Sequence, residues 1–172
     1  YHVKNPEFTS IIKDCQNRIR SMAIVHEHLY KSANLAKIDF ADYLNQLVVH
    51  LYNVHHLSQE KIKIETELEK INLNIGLAIP LGLLASEIIS NSFKHAFPGD
   101  RPGKVRIILQ PISSKTFKLE ISDNGVGLPE NFSFEQSQTF GMQLIALLRD
   151  QIGAQIELDR SSGTRFIVKV ES

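Results

Sequence analysis

Charged and apolar side chains alternate through one segment of the sequence, Lys61, Ile62, Lys63, Ile64, Glu65, Thr66, Glu67 and Leu68. This period of two predicts a β-strand with one face buried and the other in water. A sheet built from such strands needs cover on its apolar face only, and the helical segments of the sequence have to supply that cover. We therefore predict an α+β fold, a two-layer α/β sandwich, over residues 34–172.

Patterns of the same kind outline the other elements of this domain. Hairpin signals lie at Pro111-Ile112-Ser113-Ser114 and at Ser161-Ser162-Gly163, each between two strand-like segments. Asp39 stands before a helical pattern and is expected to cap it. The predicted helices are 41–55, 80–97, and a third from Thr139 or Phe140 to about Gln151. The predicted strands are 35–40, 60–68, 104–110, 116–122, 154–159 and 164–170.

A different pattern fills residues 1–33, which we assign to a separate helical region. Asn5-Pro6-Glu7 is a helix-start signal, because Asn caps, Pro suits the first helical position and Glu favours the positive helix end. The helix is expected to reach about Tyr30, and its apolar residues recur at heptad spacing, which calls for a partner helix. We expect docking or homodimerisation through this helix, and packing on its own domain is the alternative. The heptad positions are Phe8, Cys15, Met22 and Leu29, with Ile12, Ile19 and His26 one turn offset.

Composition sets the broad class of protein. Of 172 residues, 42% are hydrophobic and 22% are charged, with zero net charge, which is typical of a globular domain and offers no basic surface for nucleic acid. The single cysteine, Cys15, excludes an internal disulfide and favours a reducing compartment. No run reaches the roughly 18 apolar residues of a membrane span, so we expect a cytoplasmic region without membrane contact. Because the sequence opens on Tyr1, we expect a larger protein that holds a sensor, a membrane anchor, or both.

The segment from Leu83 to Phe97 carries the first candidate site. Glu87, Asn91, Lys94 and His95 occupy positions i, i+4, i+7 and i+8, so a regular α-helix places them on one face. A solvated stripe explains the Glu and the Lys, but the central Asn is a poor helix former. Carboxylate and amide oxygens beside cations suit Mg²⁺ bound to phosphate. Both interpretations are open on this segment alone.

The second candidate is Asp123-Asn124-Gly125-Val126-Gly127, directly after a strand-like segment. A tight turn with glycine at positive φ explains the first glycine but does not require the second. An Asp buried at a strand end can accept a hydrogen bond from an exocyclic amine, and flanking glycines let the backbone approach a flat ring. The segment therefore fits either a turn or a base-binding site.

Two further glycines begin elements. Gly141-Met142-Gln143-Leu144 opens a helix, whose unpaired N–H groups and positive dipole end suit a phosphate. A plain loop-to-helix junction explains the same residues. Gly163-Thr164 begins the last strand, where a hairpin turn is the simpler interpretation.

In this order and spacing, the four segments resemble the nucleotide-binding boxes of the GHKL ATPase superfamily, and within it the sensor histidine kinases. Glu87–Phe97 is similar to their asparagine box and Asp123–Leu128 to their first glycine box. Gly141–Leu144 is similar to the second glycine box and Gly163-Thr164 to the third. The resemblance implies a Bergerat-type fold with ATP and Mg²⁺ as ligands.

The same resemblance implies roles for single residues. Asp123 would hold the adenine amine, Gly125 and Gly127 would shape the adenine pocket, Thr164 would hydrogen-bond near adenine, and Asn91 would coordinate Mg²⁺. The other ATP-binding residues that it implies are Lys94, His95, Gly141, Met142, Gln143, Leu144 and Gly163.

Two more expectations concern catalysis and closure. Glu87 would polarise a nucleophile, as related ATPases use the equivalent carboxylate. Pro129–Phe140 would form the ATP lid, and we expect it to be mobile without nucleotide, because its few apolar residues give little burial to offset the ordering entropy.

The N-terminal residues refine the family. Gln16–Tyr30 resembles the second helix of the histidine kinases whose phosphoacceptor helix carries an H-R-V-K-N sequence, and His26 falls on its apolar seam as a packing residue. His2-Val3-Lys4-Asn5 echoes the acceptor sequence, but it lacks the Arg and is followed by Pro6. We assign residues 1–7 to the loop between the two helices and expect no phosphoacceptor in this chain.

The implied function is the ATP–Mg²⁺-binding catalytic domain of a two-component sensor histidine kinase. It would transfer the γ-phosphoryl group of ATP to a histidine outside this chain, with a response regulator as partner of the full protein, and the chain alone would not phosphorylate itself. The alternatives are a nucleotide-sensing module without catalysis and an ATPase or serine kinase of the same superfamily. We expect His50, His55 and His56 to be solvated or packed helix positions rather than metal ligands.

Overall fold

The structure, a computed structural model, describes residues 37–55, 57, 61–99, 101–129, 132 and 139–171, together with Ile12, Gln16, Ile19 and Ala23. The helices are α1 (Phe40–Val54), α2 (Ile75–Asn91), which continues into a π-helical turn (Ser92–Ala96), and α3 (Phe140–Gln151). The strands are β1 (Ile38–Asp39), β2 (Ile62–Leu68), β3 (Asn72–Leu73), β4 (Gly103–Pro111), β5 (Thr116–Asp123), β6 (Gln155–Asp159) and β7 (Thr164–Glu171).

Five of these strands form one mixed sheet in the order β2-β4-β5-β7-β6. β2 runs parallel to β4, and the other neighbours are antiparallel. The hairpins β4–β5 and β6–β7 stand where the turn signals predicted them. A separate antiparallel pair joins β1 to β3. The predicted strand 35–40 contains β1, but the sequence does not predict β3, because a strand of two residues shows no alternation.

The outer face of the sheet is charged, and its charges pair both between strands and along one strand. Glu65 on β2 meets Lys104 on β4 at 2.7 Å. Glu120 on β5 lies 2.9 Å from Nε of Arg165 on β7 and 3.1 Å from Nζ of Lys118. Burial opposes ionisation of Glu120, but the hydrogen bonds from Arg165 and Lys118 prevail and lower the pKa of its carboxyl group. The prediction of a sheet with one polar face is confirmed.

The inner face of the sheet and the helices form one apolar core. α2 is the central helix, since it contacts α1, α3 and β5. Burying each large apolar side chain contributes about 1.5–3 kcal/mol, so this layer supplies most of the stabilisation. The buried residues of the inner sheet face include Val105, Ile107, Leu109, Phe117, Leu119, Ile121, Phe166, Val168 and Val170. The predicted two-layer α/β sandwich is therefore the observed architecture.

α1 begins as the sequence predicts. The Asp39 side chain accepts the N–H of Asp42 at 3.3 Å and caps the helix. The buried side of α1 carries Leu44, Leu47 and Leu51, which recur at helical spacing.

The predicted start of the second helix at Pro80 is wrong, because α2 begins five residues earlier, at Ile75. Asn74 caps it, and its Oδ1 accepts the N–H of Leu77 at 3.0 Å. Pro80 lies inside the helix and removes one backbone hydrogen bond. Burial of the first two turns, including Leu77 and Leu81, outweighs that loss.

The end of α2 also departs from a regular helix. The π-helical turn Ser92–Ala96 contains one wider turn of backbone, so the regular spacing predicted for Glu87, Asn91, Lys94 and His95 holds only as far as Asn91. By length and hydropathy Ile75–Ala96 could cross a bilayer, although 72% of its most apolar window is buried inside this domain. That burial identifies it here as a core helix.

The four described N-terminal residues are helical, in agreement with the predicted helix. Ile12 is 45% exposed and Ile19 is 66% exposed. Gln16 and Ala23 are exposed as well, and the spacing of the four residues places them on one helical face. The remaining heptad positions and the predicted loop at residues 1–7 lie outside the described residues.

Candidate functional site

The inner face of the sheet ends in polar residues. On β5, Leu119 and Ile121 face the helix layer, and the next position of the same alternation is Asp123. Its cross-strand neighbour on β7 is Thr164. Asp123 is only 6% exposed and Thr164 only 9%. A carboxylate therefore stands where the sheet pattern expects an apolar side chain, which is expensive unless hydrogen bonds compensate it.

Three donors from the described part of the chain converge on the Asp123 carboxylate. Its Oδ1 accepts the N–H of Gly125 at 3.0 Å and the N–H of Thr164 at 3.3 Å. Its Oδ2 accepts the Ser92 hydroxyl at 2.8 Å. A carboxylate has about four acceptor positions, so these bonds leave Oδ2 able to accept one further donor.

The glycines of this region permit close backbone contacts. A Cβ on Gly125 would lie 2.3 Å from the Ala96 carbonyl oxygen, and the Val126 N–H donates to that same oxygen at 2.9 Å. Gly127 has φ +76° and Gly163 has φ +96°, and a Cβ on Gly127 would lie 3.2 Å from the Gly163 carbonyl oxygen. The loop after β5 is thereby packed between the π-helical turn and the β6–β7 hairpin.

Asn124 holds this loop to the sheet. Its N–H donates to the Lys104 carbonyl at 3.2 Å, and its Oδ1 accepts the Lys104 N–H at 2.7 Å. The pair extends the β4–β5 ladder beyond β5 and fixes the direction in which the chain leaves the strand. Asn124 thus acts as a backbone clamp, a role that a turn signal alone does not reveal.

The residues predicted on α2 differ in exposure. Glu87 is buried at 6% exposure and Asn91 is half-buried, whereas Lys94 and His95 in the π-helical turn are exposed. The polar groups therefore run from the core outward, with Lys94 and His95 nearest solvent. The turn that carries Lys94 and His95 ends at Ala96, which is the residue that contacts the loop after β5.

The side-chain oxygens of Glu87 and Asn91 suit a Mg²⁺ ion that phosphate oxygens also coordinate. Within the described residues no group of three or more His, Cys, Asp or Glu could hold a metal ion. Mg²⁺ commonly uses one or two protein oxygens together with phosphate oxygens and water. Glu87 and Asn91 offer a carboxylate and an amide oxygen one helical turn apart, which suits that kind of site.

The predicted phosphate-binding segment begins α3. The helix starts at Phe140 after Thr139, as predicted, and Gly141 and Leu144 are half-buried. Met142 is buried in the core and Gln143 is exposed. α3 packs against α2, so its N-terminal turn belongs to the same helical layer as Asn91.

Sequence reasoning missed Ser92 as a site residue. A buried serine is unfavourable unless its hydroxyl has a partner, but Ser86 and Ser90 precede it in the same helix, so residue type alone does not single out Ser92. His55 was expected to be a solvated or packed helix position, and its ring packs against Phe93 at a centroid distance of 5.7 Å. The Tyr52 ring also meets the Phe93 ring edge to face, at a centroid distance of 6.4 Å.

Several predictions fall outside the described residues. These are His2, His26, His56 and most of the predicted lid, of which only Pro129, Phe132, Thr139 and Phe140 are described. Pro129 is anchored, since its carbonyl accepts Arg160 Nη1 at 3.0 Å and the Phe132 N–H at 3.0 Å. The mobility of the lid stays a prediction.

Comparisons with known proteins match both parts of the chain. A histidine kinase family model matches residues 1–55. Sensor histidine kinase PdtaS of Mycobacterium tuberculosis is 26% identical over 162 residues, which cover 94% of this chain and 31% of that protein. Blue-light-activated histidine kinase 2 of Erythrobacter litoralis is 26% identical over 110 residues, or 64% of this chain and 32% of that protein. The chain spans about a third of the length of these curated relatives.

Solved structures share the fold. The histidine kinase domain from Erythrobacter litoralis EL346 blue-light activated histidine kinase has a TM-score of 0.78 at 21% identity, covering 91% of this chain and 72% of that chain. The mycobacterial sensor histidine kinase MprB has a TM-score of 0.60 at 19% identity, covering 78% of this chain and 97% of that chain.

A second family model covers the layered domain and the site just described. It matches residues 76–172, more than half of the chain, and includes α2 except its first residue, the loop after β5, the start of α3 and the β6–β7 hairpin. This chain therefore belongs to the histidine kinase-, DNA gyrase B- and HSP90-like ATPase family.

Proposed function

We propose that this chain binds ATP with Mg²⁺ and, within its longer protein, transfers the γ-phosphoryl group of ATP to a histidine outside this chain. The observation that carries the proposal is the buried Asp123 carboxylate, which three donors hold beside two glycine turns. The sensor histidine kinases among its relatives support the same activity.

Asp123 suits the adenine base. An exocyclic 6-amino group donates hydrogen bonds, and Oδ2 of Asp123 has capacity for one more donor. Guanine carries an oxygen at that position, which would face the carboxylate as acceptor against acceptor. The glycines at 125 and 127 keep the loop close to the site without side chains that would occupy the space of a flat ring.

The phosphates would extend toward α2 and α3. Lys94 and His95 are exposed at the end of α2, and the N-terminal turn of α3 at Gly141 offers backbone N–H groups. Asn91 would hold Mg²⁺ together with the phosphates, and the ion would neutralise phosphoryl charge when bound. Phosphoryl transfer depends mainly on positioning and charge stabilisation, which these groups can supply. Glu87 would accept the hydrogen bond that polarises the nucleophile.

Calorimetry of the chain with ADP and ATP, with and without Mg²⁺, tests the binding half of the proposal. Asn91→Ala should remove the Mg²⁺ dependence of ATP affinity and leave adenosine affinity largely intact. Asn45→Ala is the matched control, because Asn45 is an exposed asparagine on α1 that has no role in the proposed site. Wild-type protein that binds no adenine nucleotide would contradict the proposal.

Incubation with γ-labelled ATP tests the transfer half. The chain alone should bind ATP without retaining acid-labile, base-stable label, and adding the upstream helix, in cis or as a partner chain, should restore transfer. ATP hydrolysis without labelled histidine would favour an ATPase instead. Acid-labile label on this chain that disappears in His2→Ala would contradict the assignment of residues 1–7 to a loop.

The partners and location follow from the same function. We propose a response regulator as the phosphoryl recipient, and a homodimer through the N-terminal helix, whose described residues Ile12 and Ile19 are exposed. A cytoplasmic location would give the domain access to ATP and to the regulator. Light scattering of this chain and of Ile19→Asp would test the dimer.

A further inference from the structure

Ser92 is a buried polar residue in direct contact with Asp123. It is 6% exposed and lies at the first position of the π-helical turn, next to Asn91. Its hydroxyl donates to Oδ2 of Asp123 at 2.8 Å, across 31 residues of sequence. This bond joins the helix layer directly to the end of β5.

The two carboxylate oxygens of Asp123 are held differently. Oδ1 accepts two backbone N–H groups, from Gly125 and Thr164, so its position is set by the loop after β5 and by β7. Oδ2 is the oxygen with capacity for an outside donor, and the Ser92 hydroxyl is the donor described at it. Among the described residues, the Ser92 side chain is therefore the contact that holds Oδ2 in place.

We propose that Ser92 is a specificity-determining residue for the base, because it orients Oδ2 of Asp123 toward the exocyclic amine of a 6-aminopurine. The inference rests on the proposed binding of an adenine nucleotide. Ser92 acts through Asp123 and is a positioning residue rather than a catalytic one. Without its hydroxyl, the carboxylate keeps its two backbone bonds but can turn Oδ2 away from the amine or toward water.

A set of three ligands separates orientation from general damage to the site. ADP carries the 6-amino group, purine riboside diphosphate carries hydrogen at that position, and GDP carries oxygen there. Ser92→Ala should weaken ADP binding about tenfold while changing the affinity for purine riboside diphosphate and for GDP less than about twofold. A damaged fold would weaken all three ligands together.

Two variants complete the comparison. Ser90→Ala removes a half-buried hydroxyl from the same helix and should leave all three affinities unchanged. Ser92→Thr keeps the hydroxyl and should restore most of the preference for ADP over purine riboside diphosphate. Calorimetry gives the affinities, and the unliganded melting temperature of each variant reports whether the domain is folded.

The outcomes distinguish this inference from the proposed function. Wild-type protein that binds none of the three ligands would refute the proposed function. If the wild type prefers ADP and Asp123→Asn loses that preference while Ser92→Ala keeps it, only the role of Ser92 is refuted. Equal weakening of ADP and purine riboside diphosphate in Ser92→Ala would also overturn it, because the residue would then support the fold alone.

Discussion

Gly163→Ala should damage the site through the turn that leads into β7. Gly163 has φ +96°, a backbone region that costs an alanine about 1–2 kcal/mol. An added Cβ would also lie 2.1 Å from the carbonyl oxygen of Asp123 and 3.0 Å from Cα of Asn124. These are backbone atoms, so the clash can be relieved only by moving β5 and β7 apart, at about 1–3 kcal/mol more. We therefore expect a total loss of about 2–5 kcal/mol in the free energy of unfolding.

Gly153→Ala provides the matched control. Gly153 has φ +62°, and a Cβ there would meet no atom within 4 Å, so that variant carries the backbone cost without the clash. Urea unfolding should show Gly163→Ala to be about 1–3 kcal/mol less stable than Gly153→Ala. ADP affinity should fall at least tenfold in Gly163→Ala only, because that variant displaces Asp123. Equal unfolding free energies, or wild-type ADP binding by Gly163→Ala, would refute the reasoning.

Three further predictions follow from hydrogen bonds in the structure. Asp123→Asn should weaken ADP binding about ten- to a hundredfold by calorimetry, since it replaces an acceptor for the adenine amine, and wild-type affinity would exclude the adenine assignment. Glu120 has a lowered pKa in the folded state, so its stabilisation is complete above its unfolded pKa of about 4.3 and is lost as the pH falls further. Glu120→Gln should therefore make urea stability less dependent on pH below that value, and an unchanged acid profile would contradict this. Asp39→Ala should cost about 1 kcal/mol in urea by removing the cap of α1, whereas Asp42→Ala, which keeps the cap, should cost less.

The sequence predicts the elements whose signals are local. Alternation over residues 60–68 predicts β2, and Asp39, a residue type that caps helices, predicts the start of α1. Hairpins are found because their turns are rich in Ser, Gly and Pro. Each of these signals lies within a few residues of the element that it marks, so no knowledge of the fold is needed to recognise it.

Features that depend on distant contacts escape the same reasoning. Pro80 suggests a helix start, and only the packing of α2 in the core lets the helix continue through it. The π-helical turn at Ser92–Ala96 is similarly associated with contacts far along the chain, since Ser92 bonds Asp123 and the Ala96 carbonyl accepts Val126. A regular helical wheel therefore places Asn91 correctly but not Lys94 and His95.

The hydrogen bonds of Asp123 also explain how one residue can serve both fold and ligand. Burying a carboxylate without hydrogen-bond donors would cost several kcal/mol of folding free energy. The protein itself therefore has to compensate the burial of Asp123 before any nucleotide binds. Ser92, Gly125 and Thr164 provide those donors from three different elements. The same bonds that make burial tolerable fix the direction of the carboxylate, so an incoming base would form its bond without first ordering the site. Variants that move Asp123 should therefore lose both unfolding free energy and affinity for the base. Variants that change only its ligand-facing oxygen should lose affinity for the base with a smaller loss of unfolding free energy.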